Sequence, residues 1–513
     1  MTRCPLDKLH DLIVVSDLHL GEGKPEGSSR WASTEDFFHD EAFARFLDHV
    51  HDQYQDDPSG VVLVLNGDIF DFLTVTSVPT DEEASALGFE VFSTERKFGL
   101  NSTEAKSIYK LDVIFRGHQA FFRAVSRFIA RGHRVEIIRG NHDLEIHFEG
   151  VRARILEHLA FFSSSSDGAD MDALAKRVRF HHLFYLEEGR LHVEHGHQYD
   201  STNSIRYPTR PLLSRKSRWW RDEQDAEMLD YPIGSIFVKY FYNRVRKLDP
   251  YAPRLLSPEQ YMDFIQRYNF FDVWRVYRDH YPHFIAALGP SVTTGSSGSS
   301  REGDADQTAK FEEMATETGT GDLFRRWNDL KIHPESASKP AIVRKAARPV
   351  VKRLLWFGLF AFVALYLWLL VFQLIQTVPV VAANAFLMSV FAVVTFGGIV
   401  WIWVHLQKKL RPKSVEPDSC AERAGKLGDL TGVPLVLMGH THNVDHRVSS
   451  DGRVEYANSG TWTSVGNPWN RLMRDARRLT FLHVVGKKVH LRRWNDDAGR
   501  LDDVPLFRLD EKD

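Results

Sequence analysis

The sequence predicts an α/β fold, and three observations carry that prediction. Short β-branched runs alternate with longer amphipathic stretches from Leu12 to about Asp200. The major runs end in Asp, His or Asn rather than in neutral turn residues. A second set of short β runs returns near the end of the chain, from "VPLVLMG" to "KKVHLRRW". Strands alternating with helices favour an α/β arrangement.

The strand candidates are "LIVVS" (Leu12–Ser16), "VVLVLN" (Val61–Asn66), "VEIIRG" (Val135–Gly140) and "LHVEHG" (Leu191–Gly196). Their near-continuous apolar character suits strands covered on both faces. Between the first two, Phe38, Phe43, Phe46, Leu47 and Val50 fall at helical spacing. Before the third, "LDVIFRGHQAFFRAVSRFIARGH" reads as one helical stretch that Gly132 closes as a C-cap. After the last break, "VPLVLMG", "VEYANSG", "LTFLHVV" and "KKVHLRRW" read as a sheet of hairpins.

At 513 residues the chain is too long for one ordinary core, so two or three structural units are expected. Its net charge of −3 offers no basic surface, and nucleic acid is not an expected partner. The two cysteines, Cys4 and Cys420, fit a reducing compartment and argue against thiolate metal sites. The N-terminus lacks an h-region, so export by a signal peptide is not expected.

Residues 205–340 read as a helical insert, dense in aromatics and Arg/Lys over Arg218–Lys247, with a disordered linker at about 291–310. Residues 341–413 carry two apolar runs, 354–376 and 385–406, without Asp, Glu, Lys or Arg. At about 1.5 Å per residue each covers roughly 30–35 Å, enough to cross a bilayer. Arg344, Lys345, Arg348, Lys352 and Arg353 precede the first run, and Lys408, Lys409, Arg411 and Lys413 follow the second. The expectation is an integral membrane hairpin of two spans, with the bilayer as partner and both soluble portions on the cytoplasmic face.

The polar residues at the strand ends carry the chemistry. "VVSDLHLG" supplies Asp17 and His19, "VLNGDIFD" Asp68, "IIRGNHDLE" Asn141 and His142, "HVEHGHQYD" His195 and His197, and "LMGHTHNV" His440 and His442. Ligands gather at the carboxyl ends of strands in open α/β sheets. Imidazoles, carboxylates and an amide oxygen suit divalent Mn, Fe, Zn, Co or Ni. So many candidate ligands exceed one tetrahedral zinc site. They suit two cations about 3.5–4 Å apart sharing a carboxylate.

In this order, Asp-x-His, Gly-Asp, Gly-Asn-His-Asp, His-Gly-His and Gly-His-x-His resemble the calcineurin-like metallophosphoesterase superfamily, over about residues 11–200 and 430–513. The resemblance implies a four-layer α-β-β-α sandwich, split into 1–204 and 414–513 by the insert and the hairpin. It implies one metal held by Asp17, His19 and His442, a second by Asn141, His195 and His440, and Asp68 between them. It makes His142 the catalytic histidine and Asp143 its orienting partner, with Asp71 and His197 near the site. The reaction implied is hydrolysis of a phosphomonoester, phosphodiester or pyrophosphate by water activated between the cations.

"SDLHLG" with "GDIFDF" is most similar to the branch containing UDP-diacylglucosamine hydrolase, which implies a phosphorylated small molecule or lipid as substrate. The chain departs from that branch at His142, where the branch carries Arg, and at His197, where it carries Asp. Phe72–Lys110 is a candidate substrate wall, and Arg96 and His197 are candidate substrate-binding residues. The competing reading is a membrane-tethered binding or scaffold protein with a vestigial metal site. Oligomeric state has no signature in the sequence.

Overall fold

A computed structural model describes residues 10–25, 27–57, 59–163, 171–213, 226–244, 299–332, 418–449, 451–463 and 478–504, with scattered helical residues between 359 and 398. Two compact units result, one of residues 1–254, 270–336 and 417–513, the other of 255–269 and 337–416.

The first unit is built on two sheets. Its strands are β1 (Leu12–Val15), β2 (Val62–Asn66), β3 (Arg134–Ile138), β4 (Val178–His181), β5 (Tyr185–Glu187), β6 (Leu191–Val193), β7 (Leu435–Met438), β8 (Val444–Val448), β9 (Glu455–Ser459), β10 (Thr480–Val485), β11 (Lys488–Asn495) and β12 (Arg500–Asp503). One sheet has the order β12-β11-β10-β1-β2-β3-β4 and the other β5-β6-β7-β9-β8. Strands β1 to β4 run parallel, while β10 lies antiparallel against β1.

Alternation of side chains explains why these strands read as unbroken apolar runs. Leu12 and Val14 of β1, and Val62 and Val64 of β2, enter the core between the sheets with Leu435 and Leu437 of β7. The alternate residues Ile13, Val15, Leu63 and Leu65 pack beneath helices Asp40–Tyr54, Gln119–Ala130 and Glu149–Ser163, through Phe43, Phe46, Phe121, Phe122 and Ile155. On the other sheet, Val436 and Met438 turn outward to Phe324, Trp327, Ala424 and Leu427 of helices Leu323–Leu330 and Asp418–Thr431. The layers are therefore α-β-β-α.

Four expectations differ from the structure. The helical stretch before β3 is two helices, Glu104–Gly117 and Gln119–Ala130, broken at His118. A Cβ on Gly117 would overlap the backbone of Glu22, so close chain packing fixes the break there. Phe38 lies before its helix and is 39% exposed, because the helix begins only at Asp40. The late strands are not all hairpins, since β7 is parallel to both β6 and β9. Residues 299–310 of the expected linker form the first half of helix Ser299–Thr318, where Phe311 is buried and stacks on Phe324 at 6.3 Å. Residues 291–298 lie outside the described residues.

The break at His118 has an electrostatic consequence. Its Nδ1 lies 3.0 Å from Asp40 Oδ1 and its Nε2 lies 3.2 Å from Glu35 Oε2, all buried. Burial pushes the imidazole down, but Glu35 and Asp40 outweigh it and raise the pKa to about 10. A raised folded pKa contributes stability that is complete below about 6.5 and lost as pH climbs toward 10, by at most about 1.4 kcal/mol per unit. His118→Gln should therefore flatten the decline in urea midpoint between pH 6.5 and 10. A wild-type decline equal to the variant's contradicts a protonated His118.

In the second unit, the described residues of the two apolar runs are helical and expose their side chains, among them Phe362 at 68% and Val393 at 73%. Among the described residues no helix is long and apolar enough to cross a membrane. Most of the residues flanking and joining these runs, including the basic flanks, lie outside the described residues.

Candidate functional site

Parallel pairing brings β1, β2 and β3 of one sheet, and β6 and β7 of the other, to a common edge with their carboxyl ends together. The loops leaving those ends carry the candidate ligands. Asp17, His19, Asp68, His440 and His442 all have left-handed backbones, with φ between 53° and 69°. Among the described residues only Leu479 shares that conformation without being glycine. Such strain in L-residues persists where surrounding structure over-determines it, and it clusters at functional sites.

Glycines make room for these turns. A Cβ on Gly67 would lie 2.5 Å from the His195 ring, and one on Gly140 would overlap the Asp68 carboxylate. The first also has φ +76°, so both closeness and conformation require glycine there.

Three groups of side chains converge closely enough to hold an ion: Asp17, His19 and His442; Asp68, His195 and His440; and His19, Asp68 and His142. His19 Nε2 and His442 Nε2 are 3.0 Å apart, and His442 Nε2 is 3.2 Å from Asp17 Oδ1. Asp68 Oδ2 lies 3.3 Å from His195 Nε2 and 3.8 Å from His19 Nε2.

The atoms turned away from the convergence are satisfied by the protein. Asp17 Oδ2 accepts from Ser16 Oγ and from the His440 amide at 2.9 Å. Asp68 Oδ1 accepts the His142 amide at 2.8 Å. His195 Nδ1 lies 2.9 Å from the Asn66 carbonyl, which makes Nδ1 the protonated nitrogen and turns the Nε2 lone pair inward. The inward atoms Asp17 Oδ1, Asn141 Oδ1 and His195 Nε2 are buried without a hydrogen-bond partner. Buried polar atoms are normally paired, so this donor set fits divalent cations.

The electrostatics agree. Burial raises the Asp17 carboxyl, but His442 and His195 prevail and hold it below its usual range. Burial likewise opposes ionisation of Asp68, and His195, His142 and His19 carry it well below. Both carboxylates are anionic at neutral pH, as a cation site requires.

The candidate residues beyond the ligand set divide. His197 is buried beside the cluster, with its ring centroid 5.4 Å from that of His195. Asp71, expected only near the site, lies 3.2 Å from His142 Nδ1 and 3.4 Å from His19 Nδ1. Asp143, expected to orient His142, bonds elsewhere through both oxygens. Its oxygens accept the backbone amides of Gly140 at 2.6 Å and Ile69 at 2.9 Å, bracing the two ligand loops together. Arg96 does not reach the cluster, because its guanidinium pairs with Asp81 on the surface.

The residues 10–276, just over half of the chain, match the family model of the calcineurin-like phosphoesterases. The chain belongs to that family. It is a metal-dependent phosphoester hydrolase of a class that uses two divalent metals. No curated protein matches the chain. His440 and His442 lie beyond the matched residues, yet this phosphoesterase folds them into the same cluster.

Sequence reasoning missed Asp200. Its Oδ2 lies 3.2 Å from His440 Nε2 and accepts from Asn203 Nδ2 at 2.6 Å. Asn203 Oδ1 in turn accepts from Asn141 Nδ2 at 3.4 Å. One short turn thus touches both His440 and Asn141. Outer partners of this kind govern ligand orientation. Asp200→Ala should weaken binding of one of the phosphoesterase's metals by about 10–100-fold. Calorimetric metal titration measures this, and unchanged affinity at both sites would remove the assigned role.

Proposed function

We propose that the protein is a membrane-anchored, dinuclear phosphoesterase acting on a phosphorylated small molecule or lipid. Asp17, His19 and His442 would hold one metal and Asn141, His195 and His440 the other, with Asp68 between them. The observation that carries this reading is the set of inward, buried and unpartnered ligand atoms, Asp17 Oδ1, Asn141 Oδ1 and His195 Nε2. Two cations held there would lower the pKa of water and neutralise phosphate oxygens.

His142 moves the proton. Asp71 at its Nδ1 orients the ring, so the imidazole can protonate the leaving alkoxide. The helical segment Ile233–Tyr242 packs against the loops beside the site. Ser235 Oγ donates to the Asn141 carbonyl at 3.2 Å, and Asn243 Nδ2 to the Leu73 carbonyl at 2.7 Å. This described middle of the basic-aromatic stretch is packed, with Lys239, Phe241 and Tyr242 buried. It favours a cap over a lipid-binding face at those positions.

Membrane anchoring is supported by the two uncharged apolar runs and by the exposure of their described side chains. A lipid- or nucleotide-linked pyrophosphate, as in the UDP-diacylglucosamine hydrolase-like branch, is the substrate class we favour within the family. The test is a Mn-supplemented screen of purified protein against phosphomonoesters, phosphodiesters, nucleotide pyrophosphates and phospholipids, alongside metal analysis and carbonate extraction of membranes. Absence of transition metal in an inactive protein points instead to a tethered scaffold. Release by carbonate rejects the anchor.

A further inference from the structure

We propose that Arg139, His147 and His182 form an oxyanion site at the carboxyl ends of β3 and β4, taking a phosphate group. The anion is either a second phosphate of the substrate or free inorganic phosphate. The choice of phosphate over other oxyanions rests on the proposed phosphoesterase reaction; the site itself does not.

Topology places the three residues together. Ile138 and His181 are paired across the parallel strands, and the Arg139 amide donates to the His181 carbonyl at 3.0 Å. Arg139 and His182 therefore leave adjacent strand ends. His147 closes the short 3-10 turn Leu144–His147, with its ring centroid 6.1 Å from that of His182.

Four of their side-chain polar atoms lack protein partners. Arg139 is 1% exposed, and only its Nη2 is used, on the Pro208 carbonyl at 2.5 Å. Its Nε and Nη1 are buried without a hydrogen-bond partner, as are His147 Nδ1 and His182 Nδ1. Among the described residues none of the three forms an ion pair. The carboxylate that acts on Arg139, Asp143, already spends both oxygens on backbone amides. Burial first, then Arg139 and Arg152, push His147 down to about 3 and His182 well below its usual value, so both rings are neutral beside the guanidinium.

A buried cation without a counter-ion is strongly disfavoured. A tetrahedral oxyanion supplies the missing charge and the missing acceptors together, matching the planar guanidinium fork. His147 and His182 are only partly buried, which leaves the cluster open on their side. Arg139 is also two residues from Asn141, so an anion here adjoins the candidate metal loop.

The experiment titrates inorganic phosphate into the metal-free, full-length protein by calorimetry. Wild type should bind saturably, and His147→Gln/His182→Gln should weaken binding at least about tenfold. Arg139→Lys, which keeps the charge and loses the fork, should do likewise, with thermal melts reporting folding of each variant. If the double variant melts early, His182→Gln alone is the comparison. No saturable binding by wild type, or equal affinity in folded variants, overturns the site. Metal-loaded protein separates the sources. Imidodiphosphate binding that exceeds phosphate at least about tenfold, with the excess lost in the variants, assigns a second substrate phosphate. Equal binding of the two probes, with metal-free binding intact, assigns free phosphate. The metal-free arm is indifferent to the two-metal reading, so either proposal can fail alone.

Discussion

Asp68→Asn should lower kcat/KM by about a thousandfold or more while the protein remains folded. The carboxylate is the one acidic group shared by two of the three converging clusters. Oδ1 is committed to the His142 amide, and Oδ2 faces His195 and His19. Asparagine keeps the size and can still accept the amide through its oxygen. It cannot supply the negative charge. Asp68 is also the strongest charge acting on His195, ahead of Asp17, so the substitution changes the field at that ring. Bound metal should fall from two ions to one or none by elemental analysis, with far-UV circular dichroism unchanged. Full activity with two ions bound would sink the two-metal reading.

Much of this site is legible in the sequence because a strand end is a fixed address. An apolar run followed by Gly-Asp or Gly-His-x-His identifies both the strand and the ligands it delivers. The run also signals burial on two faces, as Leu12 and Val14 against Ile13 and Val15 bear out. What escapes is whatever depends on a partner remote in sequence. The buried pairing of His118 with Glu35 and Asp40, at the break between two helices, joins residues 83 and 78 positions apart. Asp200 looks like an ordinary turn residue until His440 arrives 240 positions later. The sequence favours Asp143 as the partner of His142 and places Asp71 only near the site; the Asp143 oxygens take backbone amides, while Asp71 lies 3.2 Å from His142 Nδ1. Ser299–Thr318 has the composition of a linker, yet buried Phe311 and Gln307, with Met314 and Ala315, anchor it. Composition reports average solvation, whereas a few well-placed residues fix a segment.

The chain shortened to residues 1–353 should fail to fold, not merely lose activity. It lacks His440 and His442, yet the larger loss is architectural. β10 is the hydrogen-bonded neighbour of β1, with Leu12 opposite Val484 and Val14 opposite Leu482. Without it, β1 becomes an exposed apolar edge, a template for aggregation. β7 pairs with both β6 and β9 in the other sheet, so removing it leaves β5 and β6 as an isolated pair. Two-stranded pieces are marginal in water. Trp462, fully buried between Phe43 and Phe46, is lost from the opposite core. Soluble yield and a urea transition read the outcome, and a cooperative transition in the fragment would refute the argument. The double variant His440→Ala/His442→Ala in the full chain supplies the contrast. It should unfold cooperatively while losing metal, because it empties ligand positions without removing a strand. Co-expression of 414–513 with the fragment should restore solubility, since the interleaved strands, rather than chain continuity, complete both sheets.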